Sequence, residues 1–156
     1  MRAIVHVSEG TDPTVIARAA PAAGYAFEFV STPDALLGAL ERSTSTSAAP
    51  DLVIVLSDGL GAGLEAIDAV KADPIFWPTP VCVLARGASG EERIAAYEAG
   101  AGWYREMPRW VLDAKRFLRR LPERLAGSPG LDQQGVVAVA AADMIDEIEA
   151  YLISRS

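Results

Sequence analysis

The sequence predicts an α/β fold built on a parallel, five-stranded sheet. Short apolar runs alternate with segments whose apolar residues recur every three or four positions, and about 125 residues contain five such units. The runs are apolar nearly throughout, which indicates strands that are buried on both faces. Right-handed crossovers place helices on both sides of such a sheet, and we expect the flavodoxin-like strand order 2-1-3-4-5 with an extra C-terminal helix.

Each unit carries its own boundary signals. A capping side chain and a proline in 11–13 open the first helix, and Gly24 ends it. The same signal in 32–34 opens the second helix, and Ser89 with Glu92 forms a capping box before the fourth. Strands are predicted over 2–8, 25–30, 51–56, 80–85 and 102–107, and helices over 13–23, 33–42, 64–72, 89–99 and 108–121.

Two stretches between these elements are predicted to be loops. Residues 43–49 are small and polar. Residues 59–63 are rich in glycine, but Leu64 stands where a dinucleotide-binding motif needs its third glycine, and that motif follows a first strand. We interpret 59–63 as a turn that allows a close strand–helix connection. The last helix of the sheet domain should line one face with Trp110, Val111, Ala114, Phe117, Leu118 and Leu121.

Seven short motifs occur in a particular order along residues 1–125. They are Ala23-Gly24-Tyr25, Pro33-Asp34-Ala35-Leu36, Pro50-Asp51-Leu52-Val53-Ile54, Asp73-Pro74, Thr79-Pro80-Val81-Cys82-Val83-Leu84, Ala99-Gly100-Ala101-Gly102-Trp103-Tyr104 and Pro108. In order and spacing, these motifs resemble the receiver domains of two-component signalling, which accept a phosphoryl group on an aspartate.

The resemblance implies a pocket whose reactive groups have been replaced. A receiver holds Mg²⁺ with two acids after strand 1, accepts phosphate on an aspartate ending strand 3, and binds it with a hydroxyl and a lysine ending strands 4 and 5. Mg²⁺ requires oxygen ligands, so small or apolar replacements should abolish the site. The acidic pair falls on Val7 and Ser8, or on Ser8 and Glu9; the acceptor falls on Leu56, the hydroxyl on Ala85, the lysine on Met107 and the switch aromatic on Tyr104.

We therefore interpret the chain as a pseudo-receiver: a non-enzymatic signalling or regulatory module of phosphorelay type that binds protein partners independently of phosphorylation, without cofactor or metal. Ser57 and Asp58 follow Leu56. Asp58 has the same side-chain parity as Leu56, which leaves open an unorthodox receiver phosphorylated there. A small-molecule sensor that uses the crevice at the ends of strands 1 and 3 is a further alternative.

The remaining reactive side chains are isolated in the sequence. His6 and Cys82 are the only histidine and cysteine, and both lie in apolar runs. We expect His6 to be a hydrogen-bonded core or near-surface residue and Cys82 to pack in the core, and neither belongs to a metal-binding pattern.

Charge is unevenly distributed along the chain. The net charge is −7, which disfavours nucleic-acid binding, and no helix-turn-helix supports the alternative of a DNA-acting regulator. Residues 105–124 carry seven basic and three acidic side chains, whereas 131–156 carry five acidic and one basic. These segments are either two solvated faces, mutually attracting segments or a docking surface. The candidate interface residues are Arg105, Arg109, Arg116, Arg119 and Arg120.

The predicted organisation is a receiver-like domain over 1–125, a linker over 126–135 and an amphipathic helix over 136–156. The apolar stripe of this helix must be buried, either against its own domain or in a homodimer, towards which we lean because the five units are complete without it. No apolar run approaches the roughly 20 residues of a membrane span, and the N-terminus lacks a secretory signal, so we expect a cytoplasmic location. The stripe consists of Val137, Ala141, Met144, Ile145, Ile148 and Leu152.

Overall fold

A parallel sheet with the strand order β2-β1-β3-β4-β5 and helices on both faces confirms the predicted architecture. The computed structural model describes residues 1–45, 50–58, 61–87, 90–126 and 141–149. The strands are β1 (Arg2–Val7), β2 (Ala26–Val30), β3 (Leu52–Ser57), β4 (Val81–Ala85) and β5 (Trp103–Glu106). The helices are α1 (Thr14–Ala19), α2 (Pro33–Ser45), α3 (Gly61–Ala72), α4 (Gly90–Ala99), α5 (Val111–Ala126) and α6 over 141–149.

Two apolar clusters fill the space between the sheet and its helices. Val53 and Val55 of β3 face the cluster that contains α2, α3 and α4, whereas Ile54 and Leu56 face the cluster that contains α1 and α5. This alternation follows from the two-residue period of a strand. Every residue of β3 and β4 is buried, which explains why these segments read as continuous apolar runs.

The first helix is shorter than predicted because Pro21 interrupts it. α1 ends at Ala19, and a separate 3₁₀ turn over Pro21–Ala23 follows. Gly24 then takes a left-handed conformation with φ of 82°, as the predicted stop requires. At the start of the helix, the Thr14 N–H donates a hydrogen bond to Asp12 Oδ1 at 2.9 Å.

Two predicted loops are partly helical. α2 continues to Ser45, and the buried Ser43 hydroxyl donates to the Ala39 carbonyl at 2.9 Å instead of facing solvent. α3 begins at Gly61, inside the predicted glycine-rich turn. A Cβ atom added to Gly63 would lie 3.3 Å from side-chain atoms of Ser57 and Val55, so this glycine allows α3 to approach β3 closely. Residues 46–49 and 59–60 lie outside the described residues.

Three further predictions differ from the structure or fall beyond its described part. Trp110 does not join the buried stripe of α5, because it precedes the helix and is 70% exposed, whereas Ala114 and Leu118 are buried as predicted. Ser89 of the capping box and residues 127–135 of the predicted linker lie outside the described residues; Ala126 ends α5.

His6 and Cys82 are both buried in the sheet. Neither ring nitrogen of His6 has a hydrogen-bond partner among the described residues, so the expectation of a hydrogen-bonded histidine is wrong there. Burial lowers the pKa of His6 and raises the pKa of the Cys82 thiol, which keeps both groups uncharged. None of the helices in the described part of the chain is long and apolar enough to cross a membrane.

Candidate functional site

The positions that the resemblance assigns to phosphoryl transfer lie together at the carboxyl end of the sheet. Leu56, at the acceptor position, is fully buried and packs in the same apolar cluster as Met107, at the lysine position. Ala85, at the hydroxyl position, belongs to the cluster on the other face. Ser8 N–H donates to the Leu56 carbonyl at 3.0 Å, and Met107 N–H donates to the Ala85 carbonyl at 2.9 Å. The side chains of Leu56, Ala85 and Met107 therefore contribute to the core and present no reactive group.

Two serine hydroxyls remain buried at these strand ends. Ser57 is completely buried and Ser8 is 5% exposed, and neither hydroxyl has a hydrogen-bond partner in the described part of the chain. Glu9, the remaining member of the predicted acidic pair, is exposed. The two hydroxyls can donate and accept hydrogen bonds, but neither supplies the negative charge of a carboxylate.

Asp58 lies outside the buried strand ends. Its side chain is exposed directly after β3, and it lines a depression of about 50 Å³ together with Gly10, Thr11, Asp12 and Arg86. Pockets for drug-sized ligands are larger, about 300–1,000 Å³. The sequence analysis did not group Asp12 and Arg86 with Asp58, because their proximity depends on the sheet register, which pairs the end of β3 with the end of β4.

A divalent cation does not fit this depression. Asp12 accepts hydrogen bonds from the hydroxyl and the N–H of Thr14, at 2.5 and 2.9 Å, and these bonds lower the pKa of its carboxyl. The Arg86 side chain adds a positive charge to the same depression, and Mg²⁺ needs several unencumbered oxygen ligands. The described residues contain no cluster of three or more His, Cys, Asp or Glu that could hold a metal. We assign no phosphoryl-transfer step to this site.

A second polar site lies where α6 contacts α4 and β5 of its own domain. Arg93 of α4 is its centre: the side chain is 4% exposed, and its guanidinium carbon lies 4.8 Å from the centre of the Tyr104 ring. Arg93 Nη2 is 2.5 Å from Glu147 Oε2, and Nη1 is 3.5 Å from Asp143 Oδ2. One buried guanidinium thus binds two carboxylates that lie one helical turn apart on α6.

Hydrogen bonds extend this contact. The Tyr97 hydroxyl donates to Asp143 Oδ2 and accepts from the Tyr104 N–H at 3.0 Å. Glu147 Oε1 accepts from the Glu106 N–H at 2.9 Å. Because β5 is an edge strand, this carboxylate caps a backbone donor at the margin of the sheet. Burial raises the pKa of Asp143, and the bonds from Tyr97 and Arg93 offset part of that rise.

α6 docks on its own domain through its acidic side, which is not the first of the two predicted arrangements. Asp143 is 4% exposed and faces the domain, whereas Met144, Ile145 and Ile148 are between 41% and 57% exposed. Ala141 is exposed as well, so the described part of the predicted apolar stripe faces solvent. The stripe is therefore not buried against its own domain among the described residues, and its burial in a homodimer stays a prediction. Asp143 and Glu147 can leave water here because Arg93 supplies a buried cation to both carboxylates. Val137 and Leu152 lie outside the described residues.

Comparison with known proteins places this fold among response regulators. No protein-family model and no curated protein sequence matches the chain at a significant level. Its structure resembles the response regulator RPA3017 in red light signalling of R. palustris, with a TM-score of 0.64, 17% identity, and coverage of 85% of this chain and 99% of that one.

Two further solved structures show the same similarity. The chemotaxis response regulator CheY4 of Vibrio cholerae has a TM-score of 0.59 and 20% identity over 78% of this chain and 98% of that one. An atypical orphan response regulator with a phosphorylation-independent regulatory mechanism has a TM-score of 0.55 and 22% identity over 81% and 97%. The fold is that of a receiver domain.

The predicted arginine interface of this receiver fold is divided among different neighbours. Arg105 lies 3.9 Å from Glu147, under α6. Arg119 instead donates to the Ala22 carbonyl at 3.3 Å, towards the 3₁₀ turn after α1. Arg109, Arg116 and Arg120 are exposed. The predicted attraction between the basic and acidic segments occurs at Arg105 and in the pair Arg124–Asp146 at 3.2 Å, but the most buried cation is Arg93, which lies outside the basic segment.

Tyr104, the predicted switch aromatic, occupies the interior of the receiver fold. Its ring is fully buried in the cluster that contains Ala85, and its hydroxyl has no hydrogen-bond partner in the described part of the chain. Burial raises the pKa of Tyr104, so the phenol stays neutral. Arg93 covers the ring and donates to the Tyr104 carbonyl at 3.1 Å, which fixes this residue from two sides.

Proposed function

We propose that this chain is a non-enzymatic signalling module that uses a receiver fold to bind protein partners independently of phosphorylation. The observation that carries the proposal is the burial of Leu56 and Met107 in one apolar cluster, at the positions that would hold the phosphoryl acceptor and the lysine. A buried leucine has no atom that can accept a phosphoryl group. The chain would therefore transmit a signal through changes in binding, as a pseudo-receiver.

The structural comparisons support regulation by a receiver fold without phosphorylation. One receiver with a similar fold is an atypical orphan regulator whose mechanism is phosphorylation-independent. We extend that property to this chain because its candidate site lacks an acceptor at the end of β3 and a hydroxyl at the end of β4. We also propose a cytoplasmic location, in keeping with a module of two-component signalling.

Incubation with Mg²⁺ and either beryllofluoride or acetyl phosphate tests this proposal. We expect no saturable change in tryptophan fluorescence and no added phosphoryl mass, because Asp58 is exposed beside Arg86 and lacks the groups that activate an acceptor. Asp58→Asn is the matched control. A phosphoryl adduct that is lost in Asp58→Asn would replace this proposal with phosphorylation at Asp58.

A small polar ligand is the second candidate function. The hydroxyls of Ser8, Thr11 and Ser57 are buried without hydrogen-bond partners among the described residues, and they lie at the carboxyl ends of β1 and β3 or in the loop that follows β1. Buried polar groups normally have a partner, so these three hydroxyls favour a molecule or water of modest size. Native mass spectrometry of the purified protein would reveal a ligand that is retained.

We further propose a homodimer that involves the exposed arginines of α5 and its preceding turn. Residues 105–124 carry a net charge of +4 within a chain of net charge −7, so the rest of a second copy is strongly acidic. The triple substitution Arg109→Glu, Arg116→Glu and Arg120→Glu should shift sedimentation from dimer to monomer and leave the circular dichroism spectrum unchanged, because all three residues are exposed. Unchanged association would remove these arginines from the interface.

A further inference from the structure

Carboxylates make the ion pairs and hydrogen bonds between α6 and the rest of the domain, and Met144 adds an apolar approach to α4, with its sulfur 3.4 Å from where a Cβ atom of Gly90 would lie. Asp143, Asp146 and Glu147 provide the carboxylates, at positions i, i+3 and i+4 of the helix. The large apolar residues Ile145 and Ile148 remain more than half exposed. Apart from Met144, the described contacts that dock α6 are ion pairs and hydrogen bonds, which a competing carboxylate of another helix can replace.

The domain itself fixes the groups that receive these carboxylates. Arg93 donates to the Tyr104 carbonyl and stacks on the Tyr104 ring, and Tyr97 accepts from the Tyr104 N–H. The third donor is the Glu106 N–H on the edge of the sheet. None of these supports comes from α6, so the receiving site stays ordered when the helix leaves, and a preorganised site binds with a smaller loss of entropy.

α6 does not use all the donors of this site. The Nη1 atom of Arg105 is buried and has no hydrogen-bond partner among the described residues. The nearest carboxylate contact of Arg105 is Glu147, whose Oε1 lies 3.9 Å from Nε, beyond hydrogen-bond range. A helix that places one more oxygen near Arg105 would bind this face better than α6 does, because a buried, unpaired donor is costly.

We propose that the α4–β5 face is a recognition site for an acidic helix of a partner protein, and that α6 is an internal occupant which the partner displaces. This inference rests on the proposed function and names the class of partner. The partner helix carries carboxylates at i, i+3 and i+4: the first meets Arg93 and Tyr97, the second meets Arg124, and the third meets Arg93 and the Glu106 N–H.

The covalent attachment of α6 to its own domain distinguishes such a partner from a second copy of the chain. α6 and the site that it occupies belong to the same polypeptide, so the attached helix has an effective-concentration advantage over the same helix of a separate molecule. The α6 of a second copy offers the same carboxylates without that advantage, so it cannot displace the attached helix at ordinary protein concentrations. A partner that also satisfies Arg105 can.

A peptide competition in the 156-residue chain tests this proposal. The probe is a fluorescein-labelled peptide with the sequence of residues 136–156, titrated by fluorescence anisotropy at low salt. The variant Asp143→Asn with Glu147→Gln weakens the internal helix, and we expect it to bind the probe at least about tenfold more tightly than the wild-type chain. A second variant, Ala141→Gly with Ala142→Gly, keeps the carboxylates and lowers only helix propensity at two exposed positions; it should show an intermediate affinity.

Further variants identify the site and its occupant. Adding Arg93→Met to the Asp143→Asn, Glu147→Gln chain should abolish probe binding, whereas adding Arg18→Met, at an exposed position of α1, should leave it unchanged. We call the Asp143→Asn, Glu147→Gln chain and the Ala141→Gly, Ala142→Gly chain the opened variants, because each weakens the docking of α6. Equal probe affinity in the wild type and both opened variants would overturn the role of α6 as a competitor. A wild-type dimer that dissociates in the Asp143→Asn, Glu147→Gln variant would make a second copy the occupant and overturn the partner proposal.

The same titration with Mg²⁺ and beryllofluoride separates this inference from the proposed function. Both the proposed function and the helix site predict probe binding that beryllofluoride does not change. Probe binding that changes with beryllofluoride would contradict phosphorylation independence and leave the helix site intact. Absence of probe binding in both opened variants, with an unchanged tryptophan spectrum that shows a folded domain, would overturn the helix site alone.

Discussion

Leu56→Asp, which restores the residue type of a phosphoryl acceptor, is expected to destabilise the protein by about 4 kcal/mol without creating phosphoryl transfer. Leu56 is fully buried, lies between Val7 and Leu84 in the sheet, and packs in the cluster that holds Met107. The substitution removes a large apolar side chain and places a carboxyl group where no described charged partner lies in the cluster. Urea unfolding followed by tryptophan fluorescence measures the loss.

The pH dependence of Leu56→Asp provides a check on this mechanism. Burial should raise the pKa of the new carboxyl above its unfolded value of about 3.9. The neutral form is then favoured in the folded state, so the variant is least destabilised below that pH and loses stability as pH rises through the folded pKa. Leu56→Met is the matched control and should cost less than about 1.5 kcal/mol. A Leu56→Asp protein as stable as the wild type would show that the site is an open pocket.

Arg93→Ala is expected to lower the free energy of unfolding by about 3 kcal/mol and to release α6. The substitution leaves Asp143 and Glu147 without their buried cation and removes a donor from the Tyr104 carbonyl. Undocking of α6 returns Asp143 and Glu147 to water, which limits the cost of leaving them without a cation. The decrease in the free energy of unfolding is then divided between the α6 contact and the packing of α4 on β5. Hydrogen exchange measures both: protection of residues 141–149 and of the Glu106 N–H should fall before that of β3.

A matched arginine on the surface serves as the control for Arg93→Ala. Arg18→Ala removes the same side chain from an exposed position of α1 and should change stability by less than about 0.5 kcal/mol. Arg93→Lys should not restore the wild-type value, because an ammonium group cannot bind two carboxylates and a carbonyl in the planar geometry of a guanidinium. Unchanged protection of 141–149 in Arg93→Ala would show that other contacts hold the helix.

The sheet was predictable because its signal is local. Each strand is a continuous apolar run, and right-handed crossovers place helices on both faces, so both features can be read without tertiary information. The strand order follows the flavodoxin-like pattern, one of the common orders of such sheets. Helix boundaries were less predictable: Ser43 continues α2 because its hydroxyl bonds to the Ala39 carbonyl, and Gly61 joins α3 despite its low helix propensity.

The candidate sites were only partly predictable for a related reason. The replaced residues Leu56, Ala85 and Met107 could be located from motif spacing. The site under α6 could not, because Arg93 and Tyr97 lie in an ordinary helix segment and acquire their role only when a distant acidic helix reaches them. Their four-residue separation, which places a cation and a phenol on one side of α4, is the single local signal that points to this site.

The bond from the Glu106 N–H to Glu147 has a consequence for how the chain is made. β5 is an edge strand: Tyr97 and Arg93 of α4 bond the Tyr104 N–H and carbonyl, and the Glu106 N–H is bonded by Glu147, which lies 41 residues further along the chain. During synthesis β5 is complete before Glu147 is added, and an unpaired backbone donor on an edge strand can pair with another chain. Nascent or truncated chains that end before α6 therefore expose a site for aggregation that the finished protein conceals with one carboxylate.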